Sequence, residues 1–374
     1  MRVSTSKIKY IFLIAPYLMS AIVFVIINST FASFLLAWKL VAFIYLTYEY
    51  LKEHKLSMFD VAVFLYFAVW LISTFVNGES VLDYCKEAVV MIFYLFCYEN
   101  AEKKKEIYIA INVTSMILFI ELVINLVCII IFPNGLWHTT SIYNVETNYY
   151  FLGMDNQATP LIIIALVLMV LYYYQKETIT LFAYIYAAVI LLNTLLMGSA
   201  TCIAGVIVFV LFLILSRVKS KVFNIRTAII ILIAIYFLFV VFRAQDLFKF
   251  FIVNVLQRDV GLSARTGIWD NAIQMIKEKP FIGYGCKTFA TLIGDRHAHN
   301  MYLQIMLQSG LFGFTFMLNY VRIAIRNCFG SIHSALWASA ILAYGICCMM
   351  EVYNQGYLIL MLSICSILSK KRKY

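Results

Sequence analysis

Two histidines and a row of side-chain amides near residue 300 could carry out acid–base chemistry. His297 and His299 are separated by one residue. Three amides share a spacing of four residues: Asn300, Gln304 and Gln308. That spacing places the amides in one polar stripe on an otherwise apolar helix, as expected for side chains that face a bundle interior or a wet cavity. His299 could serve there as a base or a hydrogen-bond donor, the alternative being an amphipathic side chain at the membrane boundary.

A candidate anion-binding residue, Arg265, lies upstream of the histidines. Residues 263–280 have apolar side chains at helical spacing, and Pro280 ends the pattern. We expect this amphipathic helix to lie in the membrane interface, with Trp269 as its anchor. Arg265 would occupy its first turn, where the helix dipole disfavours a cation unless an anion binds there as well. Arg265 is therefore a candidate diphosphate ligand, the alternative being an arginine that reaches lipid phosphates.

The elements that position these residues are predicted to be transmembrane helices. Of the 374 residues, 64% are hydrophobic and 13% are charged, whereas soluble domains are about half apolar and a quarter charged. Uncharged runs long enough to cross a hydrocarbon core recur along the chain, as at 11–27 and 227–242. Because backbone groups in lipid must satisfy their own hydrogen bonds, these runs are expected to be helices. The sequence predicts an all-α integral membrane protein with about 12 transmembrane helices.

The distribution of lysine and arginine predicts the topology. Spans are expected near 8–27, 31–51, 58–76, 84–100, 107–132, 158–175, 179–197, 200–216, 225–243, 300–321, 332–350 and 352–369. Alternate connections contain Lys or Arg, whereas the intervening ones, such as 77–80 and 133–157, contain none. Under the positive-inside rule both termini are cytoplasmic. Residues 1–374 are predicted to form a single polytopic membrane domain, with 244–298 as a large extracytoplasmic loop that carries short amphipathic helices.

Two outer loops carry further candidate substrate contacts. The loop 244–298 contains seven Lys or Arg, including Lys287 and Arg296. Long loops escape the positive-inside rule, so these cations fit an outer loop, either as ordinary solvated groups or as contacts to an anionic substrate. The loop 133–157 is rich in Tyr, Asn and Thr and contains Asp155. Such side chains are common both on sugar-binding surfaces and in interfacial belts.

The residues near 265–313 resemble the signature of the O-antigen ligase/polymerase family, which contains Wzy-type polysaccharide polymerases and O-antigen ligases of bacterial membranes. The matching residues are, in order, Arg265, Trp269, Pro280, Gly283, Gly285, His299, Asn300, Leu303, Gln304, Gly310 and Gly313. A weaker match is Gly153-Met154-Asp155-Asn156 before a span, where family members often place an asparagine. The predicted topology, with a long outer loop late in the chain, is also similar to that of the family.

This resemblance implies a GT-C-type fold, with no cofactor, nucleotide sugar or metal. The implied substrates are glycans on undecaprenyl diphosphate. By analogy, the catalytic residues are Arg265, which would hold the donor diphosphate, and His299, which would activate the acceptor hydroxyl. The substrate-binding candidates are Asn300, Gln304, Arg296, His297, Lys287, Asp155 and Asn156. Expected partners are the lipid-linked oligosaccharide and membrane lipid, with a flippase and a chain-length regulator as further candidates and no nucleic acid.

Three functions remain open from the sequence. Ligases tend to carry an arginine after a serine at the outer end of a middle span, but here Ala200 follows Ser199. That departure favours a repeat-unit polymerase for capsule, exopolysaccharide or O-antigen synthesis over an O-antigen ligase. A transporter or flippase would be expected to show repeats and charged or broken helices at the midplane. Lys39 and Glu121 are the clearest charges within predicted spans. Most other polar groups lie in the outer loops, which favours chemistry at the extracytoplasmic surface over transport. The chain is expected to lie in the bacterial inner or plasma membrane.

Overall fold

A computed structural model describes residues 4–19, 29–53, 56–140, 146–178, 180–244, 250, 254, 265–287, 289, 293, 297–329 and 331–369. Within the described residues, a helix overlaps each position where the sequence predicts a span. In chain order the helices are α1 (Thr5–Leu18), α2 (Ser29–Glu53), α3 (Met58–Val76), α4 (Val81–Lys103), α5 (Ile107–Ile131), α6 (Thr159–Lys176), α7 (Leu181–Met197), α8 (Ala200–Val218), α9 (Ile225–Tyr236), α10 (Arg265–Glu278), α11 (Met301–Ile325), α12 (Ser334–Met350) and α13 (Gln355–Leu368).

The length and composition of these helices make the chain an all-α, multi-pass membrane protein. Six described helices are long and apolar enough to cross a membrane: Thr30–Lys52, Met58–Val76, Ile107–Ile131, Asp155–Lys176, Ala200–Val218 and Met301–Cys328. Four shorter apolar helices accompany them: Leu181–Met197, Ile225–Val241, Ser334–Met350 and Gln355–Leu368. The number of about 12 crossings and the GT-C-type arrangement stay predictions.

The chain divides into two compact units. The first contains Met1–His54 and Phe93–Ile203, and the second contains Lys55–Ile92 and Ala204–Tyr374. In the first unit α1 packs against α2 and α5, and α5, α6 and α7 pack against one another. Side-chain amides join two of these helices, because Asn125 on α5 donates from Nδ2 to Asn193 Oδ1 on α7 at 2.8 Å.

A short β-hairpin interrupts the helical pattern of the first unit. Strands β1 (Trp137–Thr140) and β2 (Glu146–Tyr149) are antiparallel, with Trp137 opposite Tyr149. The rings of this pair stack with centroids 4.8 Å apart. The sequence predicts only an outer loop over 133–157. Threonine and aromatic residues suit a pleated, half-buried surface, which explains the strands that hydropathy alone does not predict.

Helix α11 lies at the centre of the second unit. It packs against α3, α10, α12 and α13, while α9 packs against α12. The apolar face of α10 is buried against the start of α11, and Trp269 is fully buried in a cluster with Ala272, Leu303 and Leu307. The prediction that Trp269 anchors an interfacial helix is therefore wrong. The helical periodicity of α10 is correct, but its apolar face is covered by protein.

The segment after α10 interlocks with a kink in α11. Gly310 has φ 61° and ψ −165°, so it interrupts a helix that the sequence predicts to be continuous. Four backbone N–H groups donate across the kink, from Tyr284 to Leu307 O (2.7 Å), Gly285 to Gln308 O (2.9 Å), Leu311 to Pro280 O (2.8 Å) and Phe312 to Phe281 O (3.1 Å). The donors and acceptors that α11 loses at its kink are thus satisfied by the returning chain. We name this contact the 280–285/307–312 clasp.

The glycines of the clasp are required by close backbone approach. A Cβ on Gly310 would lie 2.3 Å from the Phe281 carbonyl carbon. A Cβ on Gly283 would lie 2.5 Å from Leu307 O, and both glycines have positive φ. The spacing of Gly310 and Gly313, one helical turn apart, predicts a close helix–helix contact. At Gly310 the close neighbour is instead the turn that follows α10.

Candidate functional site

The first turn of α11 holds the histidine segment in place. Asn300 is the N-cap of α11, and its Oδ1 accepts from the backbone N–H groups of Tyr302 (3.0 Å) and Leu303 (3.1 Å). Gln304 Oε1 accepts from the backbone N–H of Ala298 at 3.0 Å. Both amides thereby fix the chain on either side of His299. Their predicted contact with substrate stays a prediction; Asn300 Nδ2 is buried and has no partner within the described residues.

His299 itself has an unusual backbone conformation. Its φ is 44°, in the left-handed region that residues with a Cβ adopt at a cost of about 1–2 kcal/mol. The backbone N–H of His299 donates to His297 Nδ1 at 3.3 Å. The two imidazoles lie edge to face, with ring centroids 4.3 Å apart. His297 thus supports the strained turn that directs the His299 ring towards Glu351.

The carboxylate of Glu351 is buried and connects the site residues. It lies between the end of α12 and the start of α13, and 9% of its side chain is exposed. Glu351 Oε1 is 3.0 Å from His299 Nδ1, and Glu351 Oε2 is 3.4 Å from Arg265 Nη2. His297 Nδ1 lies 3.7 Å from Glu351 Oε1. The predicted catalytic pair, Arg265 and His299, therefore meets at one acidic side chain.

The charges around Glu351 decide its protonation. Burial by itself would raise the pKa of Glu351, but the hydrogen bond from His299 and the charges of His299, Arg265 and His297 outweigh it and hold that pKa below its usual value. An ionised carboxylate is an acceptor only, so His299 Nδ1 carries the hydrogen of their bond. A neutral His299 then has its lone pair on Nε2, the nitrogen that can take a proton from an acceptor.

Arg265 occupies the first position of α10, as the sequence predicts. Its side chain is 16% exposed and is paired with Glu351. The predicted helix begins at Ser263, a residue type that favours the N-cap, but residues 263 and 264 lie outside the described part of the chain. Nearby, Arg243 pairs with Asp270 and lies 5.2 Å above the Trp269 ring. Two guanidinium groups, those of Arg243 and Arg265, therefore lie near the beginning of α10. The sequence predicted only Arg265 as a site residue.

The imidazoles and the carboxylate could in principle hold a metal ion. Ligand atoms of His297, His299 and Glu351 lie within 4.8 Å of one another, and such side chains bind divalent transition metals. Arg265 is bonded to the same carboxylate, however, and its positive charge opposes a divalent cation. The donor set fits an ion-pair network better than a metal centre.

Two of the other predicted site residues, Lys287 and Asn156, have polar contacts of their own. Lys287 Nζ is 3.6 Å from Glu79 Oε1. Asp155 and Asn156 belong to the first unit, where Asn156 Oδ1 accepts from the Ser199 hydroxyl at 2.8 Å. Arg296 lies outside the described residues. Arg265, His297 and His299 are thus brought together, with Asn300 and Gln304 directly behind them.

Glu351 is the site residue that sequence reasoning missed. It is separated from His299 by 52 positions and lies outside the matched signature. A signal was available, because residue 351 is a lone acid between two apolar runs, and ionisable residues near membrane spans are commonly functional.

Comparison with known proteins agrees with the resemblance seen in the sequence. Residues 185–318 match the family model described as O-antigen ligase (Wzy_C). That range includes Arg265, His297 and His299 and ends before Glu351. No curated protein matches the chain. The resemblance of this chain to the O-antigen ligase/polymerase family is therefore confirmed over residues 185–318.

Proposed function

We propose that the protein is a polymerase of lipid-linked oligosaccharide repeat units, a membrane glycosyltransferase that acts in capsule, exopolysaccharide or O-antigen synthesis. The observation that carries the proposal is the pairing of Arg265 and His299 with one buried carboxylate. An arginine fork that binds phosphate oxygens thereby lies beside a ring nitrogen that can accept a proton. Glycan transfer from a lipid diphosphate requires both groups together.

The reaction uses these groups in the following way. Arg265 holds the diphosphate of the growing chain, and His299 Nε2 removes the proton from a hydroxyl of the next repeat unit. The hydroxyl oxygen attacks the anomeric carbon of the donor glycan. The bond from that carbon to the diphosphate oxygen breaks, and its electron pair leaves with undecaprenyl diphosphate, whose charge Arg265 balances. The imidazolium is stabilised by Glu351 until its proton passes to solvent.

The proposed orientation places this chemistry outside the cytoplasm. The protein would lie in the bacterial inner or plasma membrane with both termini cytoplasmic, about 12 crossings and a GT-C-type fold. The alternation of lysine and arginine between connections supports this orientation. Donor and acceptor would both be carried on undecaprenyl diphosphate, and a flippase and a chain-length regulator of the same pathway are candidate partners.

An O-antigen ligase is the second candidate. The ligase-like position after Ser199 is filled by Ala200, the first residue of α8, and the Ser199 hydroxyl is bonded to Asn156. No guanidinium is supplied at that position, which favours the polymerase. A polymerase also handles two lipid diphosphates, and residues 244–298 contain seven Lys or Arg that could serve them.

The glycans of a deletion strain test the proposal. Loss of a polymerase is expected to leave single repeat units, on the carrier lipid or on the final acceptor. Loss of a ligase would instead leave long polymer on undecaprenyl diphosphate. Long carrier-bound chains in the deletion strain would therefore refute the polymerase and support the ligase. Single units that accumulate at the inner leaflet, with loss of carrier-bound glycan from the outer leaflet, would indicate a flippase.

A further inference from the structure

The carboxylate of Glu351 is anchored by its own backbone. Glu351 N donates to Cys347 O at 3.1 Å, which ends α12, and the residue then adopts an extended conformation. The backbone N–H of Val352 donates to Glu351 Oε1 at 3.0 Å. These contacts fix the side chain between α12 and α13. The imidazole and the guanidinium therefore approach a carboxylate that is already in position.

One oxygen of Glu351 is shared between the two proposed catalytic residues. Oε2 lies 3.1 Å from His299 Nδ1 and 3.4 Å from Arg265 Nη2. The contact to Arg265 is at the long end of hydrogen-bond distances, whereas those to His299 are within the usual range. Arg265 is thus the partner that a competing anion would more easily remove. A diphosphate offers the guanidinium two oxygens in a bidentate geometry, which a shared carboxylate oxygen does not.

We infer that Glu351 is a positioning residue that couples capture of the donor diphosphate by Arg265 to the basicity of His299. This inference rests on the proposed function. When Arg265 binds the diphosphate, Glu351 loses one positively charged partner. The negative charge of Glu351 is then less neutralised by Arg265 and attracts a proton on His299 more strongly. The imidazolium is then stabilised, so His299 becomes a stronger base when a donor is bound. Without a donor, Arg265 weakens the effect of Glu351 on His299.

The surroundings of the pair support this assignment. Among the described residues, the charged or titratable groups that contact Glu351 together with His299 include Arg265 from α10 and His297 from the segment before α11. The second guanidinium near the beginning of α10, that of Arg243, is itself paired with Asp270. A change in the pairing of Arg265 is therefore a change at a positive charge that contacts Glu351 directly.

The experiment measures the protonation of His299 directly. The chain contains five histidines, so histidine-labelled full-length protein in lipid nanodiscs gives a tractable NMR spectrum, and His299→Gln identifies the His299 signal. Titration is carried out with and without added undecaprenyl diphosphate as the probe. In the wild type we expect the probe to raise the pKa of His299 by about one unit, a tenfold change in its protonation constant.

Two variants separate the coupling from direct electrostatics. In Glu351→Gln we expect a lower starting pKa of His299 and a rise on adding the probe that is less than half that of the wild type. The remaining rise measures the direct effect of the anion. Asp83→Asn is the matched control, because Asp83 pairs with Lys86 at 2.6 Å and is 53% exposed; it should behave as the wild type. Glu351→Asp, which keeps the charge, should restore part of the coupling.

The outcomes distinguish the coupling from the proposed function. An equal rise in the wild type and in folded Glu351→Gln protein would overturn the coupling, as would an unchanged starting pKa of His299. If Glu351→Gln does not fold, the comparison of Glu351→Asp with the wild type decides, and an identical rise in both overturns the coupling. Polymer that persists in Arg265→Ala and His299→Ala strains would instead refute the proposed function. Loss of polymer in both, with no coupling, would leave the function standing and the role of Glu351 rejected.

Discussion

Replacing Gly310 by alanine tests the structural role of the clasp. Gly310 has φ 61° and ψ −165°, a region essentially restricted to glycine, where another residue costs about 1–3 kcal/mol. The new Cβ would also lie 2.3 Å from the Phe281 carbonyl carbon and 2.4 Å from Ile282 N. Those neighbours are backbone atoms, so the turn has to move and weaken the hydrogen bonds that cross it.

The expected magnitude follows from these two effects. Loss of the hydrogen bonds from Leu311 N (2.8 Å) and Phe312 N (3.1 Å) costs about 1 kcal/mol each. With the backbone strain included, we expect Gly310→Ala to lower the free energy of unfolding by about 3–5 kcal/mol. The measurement is the midpoint of thermal unfolding of purified protein in detergent, combined with polymer formation in a complemented deletion strain. Both should decrease.

Two other glycines provide matched controls. Gly78 has φ 68°, and a methyl group added to it would meet nothing within 4 Å, so Gly78→Ala has backbone strain without a clash; we expect a loss of about 1–2 kcal/mol. Gly267 lies inside α10 with nothing within 4 Å of an added methyl group, so Gly267→Ala should be neutral or stabilising by up to about 1 kcal/mol. If Gly310→Ala unfolds at the wild-type temperature and makes normal polymer, the clasp does not hold α11 in this way.

The remaining predictions concern the site and the topology. Arg265→Ala and His299→Ala should each abolish polymer while the protein stays in the membrane at normal amounts; Arg265→Lys should also fail, because lysine cannot make a bidentate contact with phosphate. His297→Ala should be milder, since His297 supports the His299 backbone, and an essential His297 with a dispensable His299 would reverse their roles. A reporter fused after Lys105 should indicate cytoplasm and one inserted near Glu146 should indicate the outside; the opposite result would place the site in the wrong compartment.

The helices and the pairing of Arg265 and His299 at one site could be predicted from the sequence for physical reasons. Charged groups are costly in lipid, so a long uncharged run indicates a membrane-spanning helix without any knowledge of tertiary contacts. Arg265 and His299 were identified together because their motif preserves order and spacing, and the structure brings both to Glu351. Asn300 was predicted to bind substrate, although its position before a helix also indicates a structural role. An asparagine directly before a helix is a favoured N-cap, and its Oδ1 bonds the first turn of α11.

The remaining features depend on tertiary contacts that periodicity does not encode. The apolar face of α10 is compatible with lipid or with protein, so the burial of Trp269 against α11 could not be read from its spacing. Gly310 is likewise compatible with a close helix contact or a break. Glu351 lies 52 positions from His299, and their contact requires α11 and the α12–α13 connection to be adjacent. The local sequence pattern indicates the helices and the candidate side chains, whereas tertiary packing determines which of these side chains are in contact.

The clasp has a consequence for how this protein could change its substrate. It joins the segment after α10 to the middle of α11 by backbone hydrogen bonds, so the helix that carries Arg265 and the helix that follows His299 are held together by contacts that do not depend on side-chain identity. The span between Cys286 and His297 is outside the clasp. Phe289 and Ile293 of that span are buried in the cluster that contains Trp269, so exchanges that keep these two apolar side chains would leave the clasp unchanged. Under the proposed function, such exchanges would let the segment accommodate another sugar while Arg265 and His299 keep their contacts with Glu351.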